Sequence, residues 1–99
     1  MALYTVKGRE TIASLVAAVG LTASNIPPTA PKVHYAVVQA IGGDVRFTID
    51  GSTNPVAATT GMRLVEDGTV ELWGEEMKNF KAINDGGTAK LEVSYHGQV

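Results

Sequence analysis

The second half of this chain is cut into short lengths by glycine corners. Gly42-Gly43-Asp44, Asp50-Gly51, Asp67-Gly68 and Asp85-Gly86-Gly87 follow one another at close spacing. Asp-Gly and Gly-Gly steps suit hairpin loops, because those turns need positive backbone φ, which glycine adopts at little steric cost. The runs between the corners have the length of strands and alternate as strands do. Ala89, Leu91, Val93 and Tyr95 alternate with Lys90, Glu92, Ser94 and His96, and Val45, Phe47 and Ile49 with Arg46, Thr48 and Asp50. A period of two puts one set against a core and the other in water.

Further runs fit the same scheme. Val70 and Leu72 flank Glu71, with Trp73 next on the polar parity. Phe80 and Ala82 flank Lys81, and Met62 to Val65 is a short additional candidate. Val33 to Ile41 is apolar on both parities, which predicts a strand covered on both faces. Leu3 to Arg9 also reads as a strand. Thr11 to Thr22 is rich in Ala and Leu, but Val16, Val19, Thr22 and Gly20 favour extended structure over a helix. Pro27, Pro28 and Pro31 make Ser24 to Lys32 a crossing loop. Gly51 to Gly61, around Pro55, is a second long loop of the kind that often touches something.

The expected fold is therefore all-β. It is a small β-sandwich or barrel of about seven or eight short strands, with jelly-roll or Greek-key-like connections and no segment that reads as a helix. The 99 residues suit a single β domain, 1–99, with residues 1–9 as an N-terminal arm or edge strand. GGDVRFTI at 42–49 and GGTAKLEV at 86–93 echo each other, as any two Gly-Gly hairpins feeding amphipathic strands do.

Chemistry is sparse. There is no cysteine, which removes disulfides, thiolate metal sites and cysteine nucleophiles. His34 and His96 sit in no metal-binding spacing and read as outward-facing strand residues. Three of the four aspartates precede glycine, which is turn chemistry. Asp50 to Asn54 is the nearest approach to a calcium loop, but it reads first as a hydrogen-bonded turn. The neighbouring acids Glu66-Asp67 and Glu75-Glu76 would point apart on a strand, so they do not form a glycosidase pair. No serine has a nucleophile-elbow context. The expectation is no enzyme, no cofactor and no metal. Net charge is −2 and the basic residues are scattered, so nucleic acid is not an expected partner. No apolar run approaches membrane-spanning length and no secretory leader is visible, which predicts an intracellular chain without a membrane.

Trp73, Tyr4, Tyr35 and Tyr95 are the residues from which an aromatic platform for sugar would be built. Trp73, on the polar parity beside Gly74, is also a candidate hot spot for a protein contact. Small side chains and strand edges needing cover point to adhesion between proteins. The expected contact regions are the arm Met1 to Arg9, the loop Ile26 to Lys32 and the loop Ser52 to Thr60. Tyr4, Pro27, Pro28, Pro55 and Trp73 are the individual candidates.

The stretch HYAVVQAIGGDVRFTIDGSTNPVAATTGMRL, then EDGTVELWG, then MKNFKAINDGGTAKLEVSY, resembles a group of short proteins encoded in tailed-bacteriophage structural gene clusters. A VRFTIDG strand leads to a Thr/Pro loop closing on glycine, here Val45 to Gly51, then Thr53 and Pro55, then Gly61. An NFKAI strand (Asn79 to Ile83) and a terminal A-x-L-x-V-x-Y strand (Ala89 to Tyr95) follow, and the run at 18–23 before a proline loop also fits. The resemblance implies a non-enzymatic virion component assembled in the bacterial host cytoplasm. The leading expectation is a capsid decoration or cement protein that binds the major capsid protein lattice and stabilises the head, as a homo-oligomer with a trimer favoured. The alternatives are a head–tail or tail-spike attachment protein, or a carbohydrate-binding β module; a hydrolase using His34 or His96 has only their presence behind it. The resemblance transfers no functional residue.

Overall fold

Alternation decides the layers. In the computed structural model, which describes residues 4–85 and 87–98, the alternating runs form two antiparallel sheets. Met1 to Leu3 of the expected arm and Gly86 of the last corner lie outside the described residues. The strands are β1 (Tyr4–Ile12), β2 (Val33–Ile41), β3 (Val45–Thr48), β4 (Met62–Leu64), β5 (Thr69–Trp73), β6 (Lys81–Asn84) and β7 (Lys90–Gln98). One sheet has the order β1-β7-β2-β5 and the other β4-β3-β6. The expected all-β class holds, with the sandwich as its form.

The inner parities meet between the sheets. Ala36, Val38 and Ala40 of β2 and Leu91, Val93 and Tyr95 of β7 face Val45 and Phe47 of β3 and Ala82 of β6, all buried. Phe47 and Phe80 pack with ring centroids 5.7 Å apart. Burying a large apolar side chain of this kind stabilises by about 1.5–3 kcal/mol.

Three sequence expectations are refined. Residues 13–22 are not helical but irregular, with a bend at Val16 and Ala17 and a single bridge at Val19, and they have a job. Val19 exchanges two backbone hydrogen bonds with Ala82 (3.0 and 2.9 Å), and the Asn84 amide donates to the Leu15 carbonyl at 3.0 Å. This segment therefore covers the outer edge of β6, which would otherwise stand unpaired. Gly20 is needed there, because a Cβ would lie 2.9 Å from the Phe80 carbonyl oxygen.

The second refinement is a correction. A short helix, α1 (Glu75–Asn79), stands where no helix was expected. Five residues are too few to show a periodic stripe, so its signals are local. Glu75 and Glu76 occupy the first turn and Lys78 the last, as the helix dipole favours. Glu76 Oε1 accepts from the Trp73 amide at 2.8 Å, and Met77 is buried.

The third concerns the long loop before β4. It is a tied structure. Asp50 Oδ1 accepts from the amides of Ser52 (3.1 Å) and Thr53 (2.9 Å), the turn chemistry its sequence suggests. Asp85 Oδ1 accepts from the Ala58 amide at 2.6 Å and from the Arg46 Nε–H at 3.2 Å, and its Oδ2 forms an ion pair with Arg63 Nε at 3.2 Å. Arg63 in turn donates to Asp44 at 2.6 Å. The Ala58 amide first, and then the two guanidinium groups, hold the Asp85 carboxyl below the usual carboxylate range against the opposing effect of burial.

A candidate interaction surface across the four-stranded sheet

Two β-bulges decide what the outer face of the large sheet carries. In an unbroken strand Tyr4, Val6, Gly8, Glu10 and Ile12 would share one face. The register of β1 on β7 breaks at Lys7: Tyr4 and Val6 pair with Gln98 and His96, whereas Gly8, Glu10 and Ile12 pair with Tyr95, Val93 and Leu91. Direct antiparallel partners lie on the same face. The bulge therefore turns Tyr4 and Val6 outward and Gly8, Glu10 and Ile12 inward.

A second shift, at His34, turns Val33 of β2 inward, out of step with the outward Tyr35 and Val37. Val33 pairs with Gly97 on the inner face, and Tyr35 pairs with His96 on the outer one. Bulges of this kind re-aim side chains near working surfaces.

The result is an aromatic band over all four strands. Tyr35 stacks on His96 at 4.6 Å and 5°, and on Trp73 at 4.3 Å and 17°. Tyr4 meets Tyr35 (5.7 Å, 79°), Trp73 (6.0 Å, 88°) and His34 (5.7 Å, 70°) edge to face. Offset-stacked and edge-to-face pairs at these separations are each worth about 0.5–1.5 kcal/mol beyond area burial. The Trp73 Nε1–H donates to Glu71 Oε1 at 3.0 Å, and His96 Nε2 shares a 2.8 Å hydrogen bond with Ser94 Oγ. Trp73 remains 44% exposed, Tyr4 43% and Val6 54%.

The sequence candidates divide. Tyr4 and Trp73, 69 positions apart in the chain, are brought together. Pro27 lines a depression of about 220 Å³ with Gly74, next to Trp73, while Pro28 is exposed in the same loop. Pro55 is fully buried, which removes it from the candidate contacts. Tyr95 is buried on the opposite face of the sheet, so the four-aromatic sugar platform does not form with it. Ring geometry also disfavours a sugar site: Tyr35 has both faces covered by its neighbours, and sugars stack on open faces. Missed from sequence were Tyr35 and His96 as a stacked pair, and the β1 bulge that turns Tyr4 toward them.

Ser94 and His96 supply two pieces that hydrolytic triads use, but the third is engaged elsewhere. Glu92 accepts from the Thr11 hydroxyl at 2.7 Å and lies 4.0 Å from Arg9. Among the described residues, no group of three or more His, Asp or Glu is placed to hold a metal ion.

Beneath the band, Glu10 ties three parts of the chain together. It accepts from the Tyr95 hydroxyl, the Thr22 hydroxyl (2.6 Å), the Thr22 amide (3.3 Å) and the Asn25 side-chain amide (3.1 Å). Partial burial raises the Glu10 pKa, but the bonds from Thr22, Tyr95 and Asn25 outweigh it and hold the carboxyl below its ordinary value. Burial, and then the bond to Glu10, push the Tyr95 phenol up. This anchor ties β1, on the far side of the bulge from Tyr4, to β7 and to the chain at Thr22 and Asn25.

Compared with family models, curated proteins and solved structures, the chain finds no match.

Proposed function

We propose that this chain is a non-enzymatic structural protein whose work is adhesion to other proteins through the aromatic band. The observation that carries the reading is the interlocked set Tyr4, Tyr35, Trp73 and His96 on the outer face of the four-stranded sheet. Aromatic residues dominate protein-contact energetics, and rings already fixed by one another lose little freedom when a partner arrives. A half-exposed tryptophan stacked on the central Tyr35 of such a set is well placed as an anchor.

The partner follows from the resemblance to tailed-phage structural proteins. The reading is a capsid decoration or cement protein of the virion, bound to the major capsid protein lattice as a homo-oligomer, with a trimer expected at lattice symmetry points. Attachment at the head–tail junction or a tail spike is the variant of the same reading with a different lattice. The test is co-sedimentation with undecorated tailed-phage capsids, alongside light scattering of the free protein. Capture by capsids that Trp73→Ala abolishes supports the proposal. A monodisperse monomer that sediments with no capsid or tail assembly overturns it.

A further inference from the structure

The inner face of β1 opens onto a cavity that the aromatic band does not use. About 390 Å³ of space lies between the bulge and the proline loop. Lys7 and Gly8 wall it on the strand side, Ser24, Asn25 and Lys32 on the loop side, and Tyr95 stands at its base. The polar atoms at the base are occupied, because Tyr95 and Asn25 both donate to Glu10. Glu10, the acid at that base, is hydrogen-bonded by four neutral donor groups, which hold it in place and leave its single negative charge. The two lysines differ: among the described residues neither forms an ion pair. In a chain of net charge −2, two lysines on the walls against the one carboxylate of Glu10 at the base leave this cavity with a local excess of positive charge.

Gly8 keeps the cavity open. A Cβ placed there would meet nothing within 4 Å, and its backbone is outside the left-handed region. Neither packing nor φ requires glycine at this position, so what its missing side chain provides is space.

The third observation is the edge itself. β1 is nine residues long and pairs only with β7. No backbone hydrogen bond from the described residues reaches its other side, whereas the edge of β6 is covered by residues 15–19. A long open edge is a template for an added strand.

We propose that an extended acidic segment of the partner protein pairs along the free edge of β1 and sets a carboxylate into this cavity, between Lys7 and Lys32. The proposal rests on the adhesion reading and names the chemistry of the partner. An added strand lies about 4.8 Å from β1. A glutamate on its inner face, level with Gly8, reaches under the sheet across the one position of β1 that has no side chain. Main-chain pairing supplies affinity, and the lysine pair selects the acid.

The test is an NMR titration of the ¹⁵N-labelled protein with the blocked peptide acetyl-Thr-Val-Glu-Val-Thr-amide, its Gln counterpart and hexanoate. The expected result is shifts along the β1 amides and at Gly8, Asn25 and Lys32. The Gln peptide should bind about tenfold more weakly, the loss of one charge-assisted contact. Gly8→Leu should abolish the shifts by filling the space, and Lys32→Met should weaken binding while leaving the spectrum of the free protein folded. Equal binding of the Glu and Gln peptides, shifts confined to the aromatic band, or no shifts at millimolar peptide would each overturn the proposal. Hexanoate reproducing the cavity shifts, with no peptide shifts along β1, would overturn the strand. Capsid binding that survives Gly8→Leu but not Trp73→Ala would remove this site and leave the adhesion reading standing. Failure of the wild-type protein to bind any capsid, with the peptide result intact, would do the reverse.

Discussion

The Tyr35 ring lies 4.3 Å from the Trp73 indole and 4.6 Å from the His96 imidazole, so the phenol is sandwiched between residues of the two strands that flank it. Three strands are therefore locked at one level on the outer face, with Tyr4 of the fourth set edge-on against them. A surface built this way is rigid before it meets a partner.

Trp73→Ala should separate adhesion from stability. The indole is 44% exposed and its removal opens no internal cavity. A loss of about 1–2 kcal/mol in urea unfolding is expected, from two ring contacts and partial burial. Binding to the partner should fall far more. Trp73 is the single tryptophan of the chain, so its emission should shift when the partner binds. An unchanged spectrum on binding would place the contact elsewhere.

Stability should form a plateau around neutral pH and fall on both sides. The Glu10 carboxyl is depressed below its ordinary 4.5 in the folded chain, so its contribution is present above that value and is lost as pH falls through the folded pKa. The Tyr95 phenol is raised above 10.0, so its contribution is present below 10 and is lost as pH rises. Glu10→Gln should shallow the acid limb without removing it, because Asp44, Asp50 and Asp85 are depressed too. Tyr95→Phe should cost about 1–2 kcal/mol and flatten the alkaline limb. Urea midpoints measured from pH 3 to 11 check both.

Gly97 and Gly8 should respond to alanine in opposite ways. A Cβ on Gly97 would overlap the carbonyl of Lys32, whose oxygen accepts from the Gln98 amide at 3.1 Å. Both belong to backbone that cannot yield cheaply. Gly97→Ala should destabilise by about 2–4 kcal/mol or prevent folding, while Gly8→Ala should be neutral or slightly stabilising. Thermal melts of the two variants side by side decide it.

Asp85→Ala should loosen the 49–61 loop rather than the core. The change strips partners from Arg46, Arg63 and the Ala58 amide together. Amide exchange should accelerate at Ala58 and around the Val56–Thr60 bridge, while the amides of β2 and β7 keep their protection. Uniform acceleration across the chain would mean that the network supports the whole sandwich.

Much of this molecule follows from local pattern alone. Alternation in β3 and β7, with glycine corners between them, is enough for strands with a buried and a wet face, and it placed Leu91, Val93 and Tyr95 inside and Trp73 outside. Prolines 27, 28 and 31 excluded a strand from the first crossing loop. These are properties of a residue and its near neighbours, and periodicity reports them directly. Helix α1 escaped because five residues do not complete two turns. The bulges at Lys7 and His34 escaped for a deeper reason. A bulge is a mismatch between two paired strands, and neither strand shows it until its partner is known. The shift at Lys7 sets Tyr4 on the face of Trp73 and His96 and Glu10 on the face of Tyr95, and the shift at His34 sends Val33 inward while Tyr35 keeps the outward parity of Val37. Side-chain alternation settled that this chain makes sheets; only strand pairing settled which aromatics meet and which edge stays open.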